Sequence, residues 1–176
     1  LHAGQFYGQP DWSPDSRYIA IGEYHRGMHG SLIYDIREID TKTGEKHWIT
    51  NNQRAKFPVY SVNGKNLYYT AHPGFTTNIF DVERKSGTIR KITSFKNDTE
   101  VKYLAISPDG ENLSFMIQDS SGAVDIAVID TSGENLVRLT NDDQEDLYPV
   151  WTQDNQRIIF TSYRNSTPNL YSVSID

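Results

Sequence analysis

The chain has 176 residues, 36% of them hydrophobic and 12% aromatic, and a formal net charge of −6. That length allows one sizeable core or a short array of repeated units. The acidic balance argues against a broad basic surface for nucleic acid; the absence of cysteine excludes disulfides and thiolate metal sites, and no apolar run is long enough to insert in a membrane.

A mean hydropathy of −0.62 is low for a packed helical or α/β domain. Eleven tyrosines and frequent Gly and Pro favour strands joined by turns. Sustained helical periodicity is absent, so an all-β fold with almost no helix is expected.

The first unit opens with Pro10-Asp11-Trp12-Ser13-Pro14-Asp15-Ser16, a short strand ending in a tight turn. Tyr18-Ile19-Ala20-Ile21 reads as its second strand, Leu32-Ile33-Tyr34-Asp35-Ile36 as its third and Lys46-His47-Trp48-Ile49-Thr50 as its fourth. The second unit repeats the order from Tyr60-Ser61-Val62-Asn63-Gly64, through Leu67-Tyr68-Tyr69-Thr70 and Ile79-Phe80-Asp81-Val82, to Ile89-Arg90-Lys91-Ile92-Thr93. The third runs from Ile106-Ser107-Pro108-Asp109-Gly110, through Leu113-Ser114-Phe115-Met116 and Ile126-Ala127-Val128-Ile129, to Leu136-Val137-Arg138-Leu139-Thr140. The fourth has Trp151-Thr152-Gln153-Asp154-Asn155, Ile158-Ile159-Phe160-Thr161 and Asn169-Leu170-Tyr171-Ser172-Val173, with no fourth strand after them. The anchors Trp12, Tyr60, Ile106 and Trp151 recur every 45 to 48 residues, the length that a four-stranded propeller blade needs. Four blades follow, at about 8–50, 56–93, 102–140 and 147–176, the last lacking its outer strand.

In Ser-Pro-Asp-Gly, Pro presets φ, Asp bonds its own backbone and Gly tolerates positive φ. Ser16 is the poorest fit at the Gly place. The nearly continuous apolar second strands suit a position covered on both faces by neighbouring blades.

Trp12-Ser13-Pro14-Asp15, Ile106-Ser107-Pro108-Asp109-Gly110, Leu139-Thr140-Asn141 and Phe160-Thr161-Ser162-Tyr163-Arg164-Asn165 resemble the TolB-type β-propeller repeat. The resemblance covers nearly the whole chain. It implies a non-catalytic propeller scaffold of the bacterial envelope in an extracytoplasmic, periplasmic setting, serving either to bind a protein or peptide partner or as a sensory domain. It equally covers the non-catalytic propellers of tricorn-type and prolyl-oligopeptidase-type peptidases, whose catalytic domain would lie outside this segment, and more distantly certain sugar-acid lyases. In the repeat frame Leu1 stands where Ile49, Ile92 and Leu139 end their fourth strands, so the segment is expected to belong to a larger ring. The edge between Asn169 and Ile175 is then open for strand addition.

Glu23-Tyr24-His25-Arg26-Gly27-Met28-His29 is the densest grouping of metal-ligating types, but a polar loop lacks the fixed geometry of two His on a helix. The run 141–146 is acidic without the spacing of a calcium loop and reads as a solvated connection. Hydrolase elbows, phosphate loops and dinucleotide fingerprints are absent, so no catalytic residue, metal or cofactor is assigned. Within a blade the first-to-second and third-to-fourth turns are short and stereotyped. The second-to-third and fourth-to-first connections are long and differ in every blade, and variation on a repeated scaffold is where a specific site is built. Binding is therefore expected on that variable face, through Tyr24, His25, Arg26 and His29 of the first blade, His72 and Phe75 of the second, Phe95 and Lys96 of the following link, and Tyr163 and Arg164 of the fourth.

Overall fold

The structure is a computed structural model and describes residues 6–164 and 166–175; the Leu1 position lies outside them. Blade one comprises β1 (Phe6–Trp12), β2 (Tyr18–Arg26), β3 (Leu32–Asp40) and β4 (Lys46–Trp48). Blade two comprises β5 (Ala55–Tyr60), β6 (Asn66–Ala71), β7 (Asn78–Glu83) and β8 (Ile89–Lys91). Blade three comprises β9 (Glu100–Ile106), β10 (Asn112–Gln118), β11 (Val124–Asp130) and β12 (Val137–Arg138). Blade four comprises β13 (Asp146–Trp151), β14 (Arg157–Ser162) and β15 (Asn169–Ser174). Each is an antiparallel meander in chain order, four-stranded in the first three blades and three-stranded in the last. Helix is absent among the described residues. The protein is an all-β propeller segment, an open arc in which β1 packs on β5, β5 on β9 and β9 on β13.

The apolar cores are the seams between blades. Ala20 and Ile36 meet Tyr60, Leu67, Tyr69 and Val82 between blades one and two. Val59, Tyr68 and Ile79 meet Leu104, Leu113 and Phe115 at the next seam, and Ile126 and Val128 meet Ile158 and Phe160 at the last. This explains the apolar second strands: β6 and β10, flanked on both sides, are buried almost throughout. In β14 burial alternates, because no further blade among the described residues covers its second face. Trp12, the anchor of the first blade, is 54% exposed for the same reason. Two of the other anchors hydrogen-bond back one blade: Tyr60 Oη donates to Glu38 Oε1 at 2.6 Å and Trp151 Nε1 to the Ala105 carbonyl at 3.2 Å.

The turn residues do the work their types suggest. Ser13 Oγ donates to Asp15 and accepts from the Tyr18 N–H; Ser107 does the same with Asp109 and Asn112, and Thr152 with Asp154 and Arg157. The position three residues after the turn's Ser or Thr (Ser13, Ser61, Ser107, Thr152) is left-handed in every blade, at Ser16, Gly64, Gly110 and Asn155.

Two expectations on strand length change. β2 runs on to Arg26, not stopping at Ile21, because cross-strand contacts continue: Tyr24 lies on Tyr34 at 4.5 Å and His25 Nε2 donates to Asp35 at 2.8 Å. The fourth strands stop two residues early, because a threonine side chain takes over from the backbone. Thr50 Oγ1 accepts the Ile36 N–H at 2.8 Å, Thr93 Oγ1 that of Ile79 at 2.9 Å and Thr140 Oγ1 that of Ile126 at 2.9 Å. Each hydroxyl also donates to the residue before, to Asp35, Asn78 and Asp125 respectively.

Thr50→Val would leave a buried N–H and a buried carboxylate each one partner short. It should lower the stability measured by urea unfolding by about 1–3 kcal/mol, whereas the exposed Thr43→Val should cost less than about 0.5 kcal/mol. The turn carboxyls of Asp15, Asp109 and Asp154 are held below the ordinary carboxylate value, first by the Ser or Thr hydroxyl and next by a backbone N–H. Their contribution is therefore complete above about pH 4 and is lost as pH falls through the lower folded value. A Ser13→Ala, Ser107→Ala, Thr152→Ala triple variant should show a shallower loss of urea midpoint between about pH 4 and 2 than the parent.

Candidate functional site

The variable face is built on a distortion of the inner strands. Each inner strand slips register against its neighbour, at 7/11 in β1, 56/59 in β5 and 147/150 in β13, and β9 slips against 114/116 of β10. The slipped residues have positive φ: Gly8 at 87°, Phe57 at 51°, Tyr103 at 56° and Tyr148 at 56°. A bulky residue there costs on the order of 1–3 kcal/mol. The rings offset it by packing on one another across blades, Phe57 against Tyr103 at 5.2 Å and Tyr103 against Tyr148 at 4.3 Å. Gly8 is the exception for a steric reason: a Cβ there would lie 2.9 Å from Phe57 Cδ1.

A bulge re-aims its neighbouring side chains. Lys56 and Lys102, one residue ahead of Phe57 and Tyr103, both line a cleft of about 350 Å³ between blades two and three. Its walls include Phe57, His72 and Glu100, and Phe75, 94% exposed, is also among its lining residues. Lys102 Nζ pairs with Glu100 at 2.8 Å. The Lys56 ammonium lies 4.9 Å from the centre of the Tyr34 ring. Burial lowers the Lys56 pKa, with Lys102 adding to the shift and Glu100 opposing it. His72 is likewise held below its ordinary value, by burial first and then by the Lys56 and Arg54 charges. At neutral pH its ring is thus kept uncharged, able to donate from one nitrogen and accept at the other. The cleft combines two ammonium groups, the carboxyls of Asp98, Glu100 and Asp119, an imidazole and two aromatic rings, a mixed polar and aromatic set suited to hydrogen-bonding an extended polypeptide.

His72 and Phe75 are the expected site residues that share this cleft. Tyr24 continues its line through Tyr34 to Lys56. His29 lies apart, in a hollow of about 280 Å³ with Met28 and Asn52. Arg26 is exposed and donates to the Gly30 carbonyl. Lys96 is exposed, its carbonyl accepting the Thr99 hydroxyl at 2.6 Å. Tyr163 is exposed on blade four and lines neither hollow. Three others are occupied internally. His25 lies on a strand rather than in a loop, bonded to the fully buried Asp35 and 4.4 Å from the Trp48 ring. Phe95 packs on the core of the second seam, 6.2 Å from Phe115. Arg164 pairs with Asp142 at 2.7 Å and Asp146 at 3.1 Å and lies over the Phe160 and Tyr171 rings. The acidic run is therefore not a solvated connection throughout, since Asp146 is fully buried. No group of three or more His, Asp or Glu that could hold a metal occurs among the described residues.

Lys56, Phe57, Glu100, Lys102, Tyr103 and Tyr148 were not expected in the site. A signal for three of them exists: Phe57, Tyr103 and Tyr148 each stand three residues ahead of an anchor.

No family model matches the chain. A Tol-Pal system protein TolB from Francisella tularensis subsp. tularensis (strain WY96-3418) is 26% identical over 148 residues, which cover 82% of this chain and 33% of the relative. The crystal structure of TolB from Acinetobacter baumannii superposes with a TM-score of 0.71 at 24% identity, over 95% of this chain and 40% of that one. The chain carries TolB-like propeller blades. It spans about a third of the length of the curated relatives it matches. TolB-like blades share their architecture with the β-propeller domain of the Trilobed protease from Pyrococcus furiosus, at a TM-score of 0.64 and 16% identity over 92% of this chain and 50% of that one.

Removing the Lys56 charge should raise the His72 pKa. In an NMR titration, His72 of Lys56→Met should titrate above the parent value yet still below an exposed histidine, since burial is the larger cause.

Proposed function

We propose that these TolB-like blades form a non-catalytic binding scaffold of the bacterial envelope, acting in the periplasm, whose variable face seats a protein or peptide partner in the cleft between blades two and three. The observation that carries this reading is Phe75, 94% exposed and lining a cleft together with Lys56, His72 and Lys102. A large apolar side chain beside desolvated polar groups is the usual composition of an interface anchor. The relatives that match are named for the Tol-Pal system, which supports a protein partner in that setting. Tyr24, Arg26 and Lys96 then serve as further contacts, with His29 and Tyr163 as separate contacts elsewhere on the variable face. The edge of β15 at Asn169 and Leu170, which pairs with no strand among the described residues, adds a second place for a partner, by strand addition. The alternative, a substrate-gating propeller of a peptidase, is supported by the Pyrococcus furiosus protease domain through likeness of fold. In that case the same cleft would meet a peptide on its way to a catalytic domain.

The test is binding of the Pal-type protein from the same organism to the chain, measured by isothermal titration calorimetry. Phe75→Ala should weaken binding by about tenfold or more, while Lys85→Ala, on the opposite face, should leave it unchanged. Equal affinities for the parent and both variants would remove the cleft from the interface.

A further inference from the structure

One of the four stereotyped turns differs from the others in its chemistry. At the same turn position blades one, three and four carry Asp15, Asp109 and Asp154, and blade two carries Asn63. In the aspartate turns the hydroxyl two residues earlier sits 2.6, 2.5 and 2.6 Å from the carboxylate. In the β5–β6 turn the Ser61 hydroxyl stands 3.0 Å from Asn63 Oδ1 and 3.0 Å from the Asn66 carbonyl, divided evenly between two acceptors. An amide oxygen is a weaker acceptor than a carboxylate, so this turn is the one drawn together least by its own side chain.

Asn63 is also the only asparagine of the chain that is followed by glycine. Gly64 has no Cβ to shield its amide nitrogen from the side chain before it. Asn63 Oδ1 accepts two donors, the Ser61 hydroxyl at 3.0 Å and the Lys65 N–H at 3.0 Å. Two donors on a carbonyl oxygen stabilise the oxyanion that forms when a nucleophile adds to its carbon. Asn63 lines a hollow of about 740 Å³ at the first seam together with Lys65, Arg84 and Lys85.

We propose that Asn63 is a self-activated deamidation site, converted to aspartate by its own turn and water. The Gly64 N–H donates to the Ser61 carbonyl at 2.8 Å, and a brief opening of that bond frees the nitrogen. The nitrogen adds to Asn63 Cγ while Ser61 and Lys65 hold the negative charge on Oδ1. The bond from Cγ to Nδ2 breaks, and Nδ2 takes the Gly64 proton and leaves as ammonia. Water then opens the cyclic imide. Breaking the bond from the Gly64 nitrogen to Cγ restores the ordinary backbone and leaves aspartate. Breaking the bond to the Asn63 carbonyl carbon leaves isoaspartate, with one more methylene in the main chain.

The neighbouring blades select between the two products. Arg84 Nη1 donates to the Gly64 carbonyl at 2.8 Å. A Cβ on Gly64 would lie 3.4 Å from Pro14 of blade one, and one on Gly110 of blade three would lie 3.1 Å from Val62. A lengthened turn has no room between those contacts. Aspartate keeps the backbone, takes the Ser61 hydroxyl as the other three turns do, and adds a carboxylate to a hollow lined by Lys65, Arg84 and Lys85. Isoaspartate re-closes to the imide, so the mixture drains toward aspartate.

The whole chain is incubated in mildly alkaline buffer and mapped by mass spectrometry, with the free peptide of residues 60–67 as the unstructured reference. Isoaspartate is counted by enzymatic methylation. Position 63 should convert ahead of every other asparagine, with a smaller isoaspartate share than the peptide. Ser61→Ala should slow the conversion about tenfold by removing an oxyanion donor, whereas a turn that only shields the amide would convert faster once loosened. Circular dichroism checks that this variant is folded; if it is not, the order of conversion and the product ratio in the parent chain decide. Asn63→Asp should raise the urea midpoint at neutral pH, and the gain should fade below about pH 4 as the carboxylate protonates. An intact Asn63 in a chain whose peptide converts, or faster conversion in folded Ser61→Ala, would overturn self-activation. An isoaspartate share equal to the peptide's would overturn selection by the neighbouring blades, as would a midpoint for Asn63→Asp at or below the parent's.

Discussion

In each of the first three blades the hydrogen bonds of one threonine determine where the chain leaves the outer edge of the sheet. By accepting an N–H that a backbone carbonyl would otherwise take, Thr50, Thr93 and Thr140 end the fourth strand and free the next residues to cross to the following blade. The acceptors of those hydroxyls then guide the crossing. Asp35 takes the N–H groups of Asn52 and Gln53, Asn78 that of Phe95 and Asp125 that of Asp142. A buried carboxylate or amide that meets several donors is satisfied only in one arrangement. The polar network therefore specifies the path that the apolar seams then cover.

On the opposite face the seams are held by arginines. Arg84 reaches from blade two to Glu38 of blade one at 2.7 Å, bonds the Gly64 carbonyl and lies over the rings of Tyr18 and Tyr60. Arg90 joins Asp81 to the Thr131 and Ser132 carbonyls of blade three. The constant face is thus committed to holding blades together. The variable face keeps its aromatic bulges, whose strain is offset by the stacking of Phe57 on Tyr103 and of Tyr103 on Tyr148.

The repeat, the strand order and the turns were legible because they depend on local chemistry. Ser-Pro-Asp-Gly forms its turn with its own atoms, and a 45- to 48-residue period survives any change in the loops. The site was less legible because its members meet across blades. Nothing near His25 in sequence says that Asp35 and Trp48 will occupy its ring, nor anything near Arg164 that Asp146 will be buried beneath it. Residue type was the guide to Phe95 and Arg164, and residue type cannot separate an interface anchor from a seam contact. Lys56 and Lys102 sit on strands, where a search among loops overlooks them, and their common role depends on a bulge that only the aromatic residue after each of them hints at.

Gly133 sits where the β11–β12 turn meets the outer strand of the blade before. A Cβ at this position would lie 2.5 Å from the Ile92 carbonyl oxygen, and its φ is 99°. Any side chain would act as a shim, widening the angle between blades two and three. Since the wedge angles of a closed propeller must add up to one full turn, backbone contacts of this kind set the angular increment per repeat, and through it how many blades a circle of such units can contain.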